Sequence, residues 1–261
     1  MNPPVALTVA GTDSGGAAGT AADLATFAAL EVHGACVITA VTAQDTTGVS
    51  DIHAVPLATV EAQLHAVFDD LPVAAVKTGM LGSAEVVELV ARLCAGRPLV
   101  VDPVLVATSG AVLGGEDVRH AYLDHLLPVA TVVTPNLDEA RALAGHDGSP
   151  EELAEELAGE LAGVKPAVIV TGGDPEATGT CTDWLAEPGK TPIPLTHPAV
   201  PTKNDHGTGC TYSSALAAHL AHGAPLREAA EHAAAYVTRQ LAASRHWTLG
   251  RGRGPIAHLN T

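Results

Sequence analysis

Short apolar runs alternate with helical patterns along almost the whole chain, and most runs are followed at once by a cluster of glycine and polar residues. Residues 5–10, 35–41, 74–78, 99–101, 131–134 and 167–171 are mostly apolar or β-branched and too short for helices, which is the pattern of buried strands. A further short strand is expected near residues 49–55, and residues 182–185 and 192–195 read as a hairpin at a sheet edge. Between the strands, Val60, Leu64 and Val67 in residues 57–68 make the i, i+4, i+7 stripe of an amphipathic helix. Helical patterns also cover residues 23–30, 83–93, 137–143 and 151–161; another precedes Leu127, and two more start near Cys210 and Pro225. Alternation of this kind predicts an α/β fold with a mostly parallel central sheet and helices on both faces. No linker, repeat or low-complexity segment interrupts it, so residues 1–261 are expected to form a single domain.

Such sheets bind ligands beyond the carboxyl ends of their strands. The polar clusters are placed there: residues 11–19, residues 44–47, Gly79-Met80, Asp102-Pro103, Pro135-Asn136 and Gly172-Gly173-Asp174. Two of the glycine loops run straight into helical patterns, residues 10–19 near the start and residues 204–211 near the end. Gly207, Thr208 and Gly209 open a helix, where free backbone N–H groups and the helix dipole together make an anion site. Cys210 sits in that first turn, where the dipole is expected to lower its pKa. A phosphoryl group held beside a titratable side chain suggests phosphoryl transfer; the bland alternative is a glycine turn that packs a helix closely on the sheet.

Composition narrows the partners. With 13 Lys+Arg against 29 Asp+Glu the chain carries a formal charge of −16, which repels nucleic acid and anionic lipid surfaces. An anionic substrate must therefore be held by local amides or a metal ion. No signal-peptide pattern follows Met1 and no apolar run approaches ~18 residues, so a cytoplasmic chain outside the membrane is expected. Cys36, Cys94, Cys181 and Cys210 are scattered with no C-x-x-C pair, which argues against a zinc knuckle or a disulfide framework. The core must be built from Ala, Val and Leu, because only 3% of residues are aromatic. Charge is also sparse, and the Ala-rich surface expected from this composition makes a homodimer an expectation.

Several familiar motifs are absent. Gly189-Lys190-Thr191 ends like a P-loop, but Trp184 stands where that motif needs glycine. Neither glycine loop fits the dinucleotide pattern, and Ser14 is not in a G-x-S-x-G elbow. Asn136 and Glu139, three apart where a strand becomes a helix, share one face of the first turn. That pair fits either a hydrated Mg²⁺ site or a capping box.

Residues 10–23, 37–48, 76–82, 101–110, 133–139, 168–173 and 202–211, in that order and spacing, resemble the hydroxymethylpyrimidine and hydroxymethylpyrimidine-phosphate kinases, ribokinase-like enzymes of thiamine biosynthesis. The resemblance runs from about Val5 to the Gly252-Arg253-Gly254-Pro255 segment. Gly-Thr-Gly is common to the superfamily; Gln44 after Thr42-Ala43, Lys77-Thr78-Gly79-Met80, and Cys210 where many relatives place aspartate are similar to this family in particular.

The resemblance implies a ribokinase-like fold and an ATP- and Mg²⁺-dependent kinase of 4-amino-5-hydroxymethyl-2-methylpyrimidine and its monophosphate. It implies that Gln44 reads the aminopyrimidine edge and that Gly11, Ala18, Asp23, Met80 and Val106 line the pyrimidine pocket. Gly207, Thr208, Gly209 and Cys210 become the anion hole, with Cys210 assisting deprotonation of the hydroxymethyl group, while Asn136 and Glu139 handle Mg²⁺ and nucleotide phosphates. Thr171, Gly173 and Asp205 fall on the nucleotide side. Three departures stand out: relatives usually have Lys-Gly-Gly-His where this chain has Thr171-Gly172-Gly173-Asp174, Thr where it has Asp205, and Gly where it has Ala17. One unit charge at a few Å is worth on the order of 4 kcal/mol at an effective dielectric of ~20, before screening, so weakened ATP binding is expected. The rival readings are a pyridoxal or pyridoxine kinase and a pyrimidine-binding regulatory protein that has lost efficient ATP use.

Overall fold

The structure, a computed structural model of the chain, describes residues 2–105, 115–160, 166–172 and 179–258. Its strands are β1 (Val5–Ala10), β2 (His33–Ile38), β3 (Ala40–Asp45), β4 (Gly48–Ala54), β5 (Val73–Thr78), β6 (Leu99–Val101), β7 (Val132–Val133), β8 (Ala167–Val170), β9 (Thr180–Ala186) and β10 (Ile193–Pro198). Its helices are α1 (Gly19–Ala29), α2 (Leu57–Phe68), α3 (Ala84–Cys94), α4 (Glu116–Ala121), α5 (Leu137–Ala144), α6 (Pro150–Glu160), α7 (Thr208–Ala221) and α8 (Leu226–Ser244). Eight strands form one sheet in the order β10-β9-β8-β7-β6-β5-β1-β2. From β8 to β2 the neighbours run parallel, and β9 and β10 close one edge antiparallel.

The two-residue period of the strands splits the core into two layers. Leu7, Val9, Leu99 and Val101 face one side with residues of α2, α3, α5 and α6, such as Leu64, Val87, Leu143 and Leu153. Ala6 and Val100 face the other side, with Phe27 of α1, Leu216 of α7 and Val237 of α8. On that side α7 and α8 pack through Ala215, Ala218, Ala229, Ala230 and Ala233, all unexposed, whose small side chains let two helices approach closely.

Three elements differ from the sequence expectation. The run at residues 35–41 is broken at Thr39, whose N–H donates to the Ala10 carbonyl and whose hydroxyl donates to the Met80 carbonyl at 2.6 Å. These contacts turn the chain out of the main sheet, so β3 pairs antiparallel with β4 in a separate two-stranded flap. Residues 44–47 are therefore on a flap and its turn, not on the edge of the central sheet. The helix ahead of Leu127 is composite: α4 runs into a π-helical turn at Tyr122–Leu126 and a 3₁₀ turn at Leu127–Val129, where Pro128 lacks the N–H that would continue it. Finally, α1 begins at Gly19 rather than Asp23.

Candidate active site

The flap, the loop after β1 and the N-terminus of α7 converge. Asp13, 5% exposed, organises the first loop: its Oδ1 accepts from the Gly15 N–H at 2.8 Å and its Oδ2 from the Ala17 and Ala18 N–H groups at 3.1 and 2.9 Å. Asp13 Oδ2 is also 3.3 Å from His206 Nε2, which ties this loop to the one that leads into α7. Burial pushes the Asp13 carboxyl up, but His206 and the loop amides outweigh it and hold the pKa below the ordinary value. From the flap, Gln44 Nε2 lies 3.2 Å from His206 Nε2, and a register break between Ala43 and Gln44 helps aim that side chain.

The helix entry is shaped by glycine. Gly207 has φ +90, and a Cβ there would overlap the Ala17 carbonyl oxygen, so this close approach of two loops needs glycine. Thr208 N–H and hydroxyl both donate to the Asp205 carbonyl, and Thr211 N–H donates to the Gly207 carbonyl. Among the described residues this leaves the Gly209 and Cys210 amides of the first turn for an anion. Across the pocket, Met80 packs over Gly11, where a Cβ would come within 2.6 Å of Met80 Cε.

Beneath Cys210 lies a sealed ionic cluster. Lys77 Nζ donates to both oxygens of Asp23 at 2.8 and 3.0 Å, with neither side chain exposed, and lies 4.0 Å from Asp102. Asp23 also accepts from Thr8 and Ser214, and Asp102 from Ser213. Burial works against the charge on Lys77, but the carboxylates of Asp23 and Asp102 outweigh it and raise its pKa. Asp102 is pushed up by burial and by Asp23, against the pull of Lys77 and Ser213. One cation for two carboxylates leaves the cluster short of positive charge.

That shortage bears on Cys210. Burial, with Asp102 and Asp23, pushes its thiol up to about 12, against the opposite pull of Lys77 and the Gly19 amide. The pKa lowering expected from the helix N-terminus is thus overturned: desolvation and two nearby carboxylates outweigh the dipole. Cys210 is a thiol at rest.

A model of the phosphomethylpyrimidine kinase family matches residues 13–257. The chain belongs to that family. It is 45% identical to the hydroxymethylpyrimidine/phosphomethylpyrimidine kinase of Rhizobium meliloti, over 98% of this chain and 97% of that one. It is also 45% identical to the thiamine biosynthesis bifunctional protein ThiED of Geobacter sulfurreducens, over 97% of this chain and 52% of that longer protein. Among solved structures, pyridoxal kinase from Staphylococcus aureus in complex with AMP-PCP and pyridoxal is similar, with a TM-score of 0.85 at 32% identity, covering 98% of this chain and 93% of that one. The phosphomethylpyrimidine kinase fold is ribokinase-like, and its members are kinases.

Within this member of the phosphomethylpyrimidine kinase family, the residues singled out from the sequence fall in different places. Gly11, Ala18, Gln44, Met80, Gly207, Thr208, Gly209 and Cys210 surround the meeting point of flap, first loop and α7. Asp23 does not line an open pocket here: it is fully enclosed and its oxygens are engaged by Lys77, Thr8 and Ser214. Asn136 and Glu139 form the complete capping box, Asn136 Oδ1 accepting from the Glu139 N–H and Glu139 Oε2 from the Asn136 N–H, both at 2.9 Å. Thr171 lies beside them, its N–H donating to the Pro135 carbonyl. Val106 and Gly173 lie outside the described residues.

Asp205 has a partner that the local sequence did not show. Read as added negative charge near the nucleotide, it is gripped by Arg253, with Nε 2.7 Å from Oδ1 and a second contact from Nη2 to Oδ2. Sequence reasoning missed Lys77, Asp13 and His206 as organisers of the site. Lys77 was visible as the charged residue in an otherwise apolar strand, a signal of a buried partner. Nothing local marked His206 as Asp13's partner.

Proposed function

We propose that the protein transfers a phosphoryl group from Mg²⁺-ATP to the hydroxymethyl group of 4-amino-5-hydroxymethyl-2-methylpyrimidine, and then to the resulting monophosphate, in thiamine biosynthesis. The observation that carries this is the placement of Gln44, an amide able to match a donor–acceptor ring edge, beside His206 at the mouth of the Gly207–Cys210 turn. On this reading Gln44 orients the ring, Met80 packs on its face, and the Gly209 and Cys210 amides stabilise charge on the transferred group.

Glu139 is buried, and burial and then Asp102 push its carboxyl well above its ordinary range. A buried carboxylate so placed fits a divalent cation, and Asn136 and Glu139 would hold Mg²⁺ through its waters. When bound, the ion neutralises phosphate charge during transfer. Cys210 loses its proton, and takes one from the hydroxymethyl group, only where the effect of burial and of Asp102 and Asp23 is offset; Lys77 and the Gly19 amide do not offset it. The second phosphorylation has no alcohol to deprotonate and makes no such demand on Cys210. A homodimer in the cytoplasm completes this reading, and light scattering tests its size.

Pyridoxal is the competing substrate, favoured by the likeness to the S. aureus pyridoxal kinase. A panel of the pyrimidine, its monophosphate and pyridoxal, each with Mg²⁺-ATP, separates the two by kcat/KM. Gln44→Leu should weaken pyrimidine binding by ~1–3 kcal/mol and leave ATP affinity unchanged. Higher kcat/KM for pyridoxal than for the pyrimidine would overturn the proposal, and no turnover of any of the three would favour a binding protein.

A further inference from the structure

The edge hairpin β9–β10 brings together side chains that phosphoryl transfer does not use. Its register sets Cys181 directly opposite His197, and Asp183 follows two residues along β9 on the same face. One donor atom from each of Cys181, Asp183 and His197 lies within 4.8 Å of the other two. His197 Nε2 is 3.3 Å from Asp183 Oδ2, and those side chains are 19% and 3% exposed.

The atoms behind the cluster orient it. On α8, the Thr238 hydroxyl donates to the Ala234 carbonyl at 2.8 Å and lies 3.4 Å from His197 Nδ1. With its proton directed to Ala234, the Thr238 oxygen can accept from Nδ1–H, which leaves Nε2 as the ring atom that faces Asp183. The other Asp183 oxygen, Oδ1, accepts from the Gly172 N–H at 2.9 Å. At 3.3 Å the ring nitrogen and the carboxylate oxygen are bridged by a proton on Nε2, or by a metal ion that takes that proton's place. Outer hydrogen bonds of this kind, one on the second ring nitrogen and one on the carboxylate, are those that orient metal ligands.

We propose that Cys181, Asp183 and His197 form a zinc site, with water in the fourth position. Thiolate, imidazole and carboxylate together suit Zn²⁺ and exclude Mg²⁺ and Ca²⁺, which take oxygen ligands. Tetrahedral bonds of about 2.0–2.1 Å place a nitrogen and an oxygen ligand about 3.3 Å apart, matching the His197–Asp183 separation. On binding, the Cys181 S–H releases its proton to solvent and the thiolate takes the metal. The ion pins both strands of the edge hairpin and, through Asp183, the Gly172 backbone.

Cobalt(II) reports the thiolate ligand directly. The full chain, treated with chelator and desalted, should take up one equivalent of Co²⁺ with a sulfur-to-cobalt band in the near ultraviolet, and Zn²⁺ should displace it. Cys181→Ser should abolish the band while Cys210→Ser retains it. Thr238→Val keeps all three ligands and removes only the acceptor behind His197; it should weaken Zn²⁺ affinity by ~10–100-fold. No band in the wild-type chain at saturating Co²⁺, or a band that survives Cys181→Ser, would overturn the site. Thermal melts in chelator check that each variant folds, and should Cys181→Ser fail that check, the wild-type and Thr238→Val titrations decide.

Discussion

Arg253 closes on Asp205 through both ends of its guanidinium fork, across 48 residues of sequence, and sets a positive charge against the carboxylate beside the anion turn. The Asp205 carbonyl meanwhile receives the Thr208 N–H and hydroxyl, so one residue both shapes the turn and must be neutralised. Arg253→Ala should raise the KM for ATP by ~3–10-fold with little change in the pyrimidine KM, the scale of one partly screened charge. Asp205→Asn in the same chain should restore it. The stability change should stay within about 1 kcal/mol, because the Arg253 side chain is 59% exposed. Steady-state kinetics of the three proteins test this; an unchanged ATP constant in Arg253→Ala would place Asp205 away from the nucleotide.

Lys77 neutralises Asp23 in a place water does not reach. Lys77→Met leaves that carboxylate buried without its cation and should cost about 3–5 kcal/mol in chemical denaturation. Adding Asp23→Leu should recover much of the loss, since the pair is replaced by apolar volume. A loss below ~1 kcal/mol in the single variant would mean the cluster relaxes or admits water.

Cys210 should react slowly with iodoacetamide near neutral pH. Its thiol is held up to about 12, so modification of Cys210, read by mass spectrometry, should climb about tenfold per pH unit through pH 10 with no plateau. The linkage runs the same way. A folded pKa above the unfolded value, ~8.5, gives a contribution that is complete below pH ~8.5 and fades as pH rises toward 12. A plateau in reactivity below pH 9 would restore the low-pKa thiolate. Cys210→Ala then addresses catalysis: as a base it should slow the first phosphorylation by ~10²-fold or more and spare the second, whereas equal losses indicate packing.

Thr171 stands beside the Asn136–Glu139 capping box, paired with Asn136 in a parallel bridge and without a cation of its own. Thr171→Lys should lower the KM for ATP, with a gain of ~1–2 kcal/mol for one partly screened charge-assisted contact. The pyrimidine constant should not move. Unchanged or weaker ATP binding would show that other groups hold the phosphates.

What the chain determined locally is its alternation of strands and helices, the glycine turn at Gly207–Cys210 and the Asn136–Glu139 cap, because each depends on residues within a few positions of one another. From that alternation the sheet and its ligand edge could be anticipated. Tertiary structure decided the rest. Residues 35–41 carry strand propensity throughout, yet Ala10 and Met80, distant in sequence, bond to Thr39 and divert the chain into the flap that carries Gln44. The same holds for charge. The pKa of Cys210 follows from burial and then from Asp102 and Asp23, and the pairing of Asp205 follows from Arg253, none of them sequence neighbours. Scattered cysteines argued against a zinc knuckle, but antiparallel register carries Cys181 to His197, an adjacency that no local spacing encodes. Periodicity is written by neighbours along the chain, whereas electrostatics and donor sets act through space and exist only once the topology has placed the groups within a few Å.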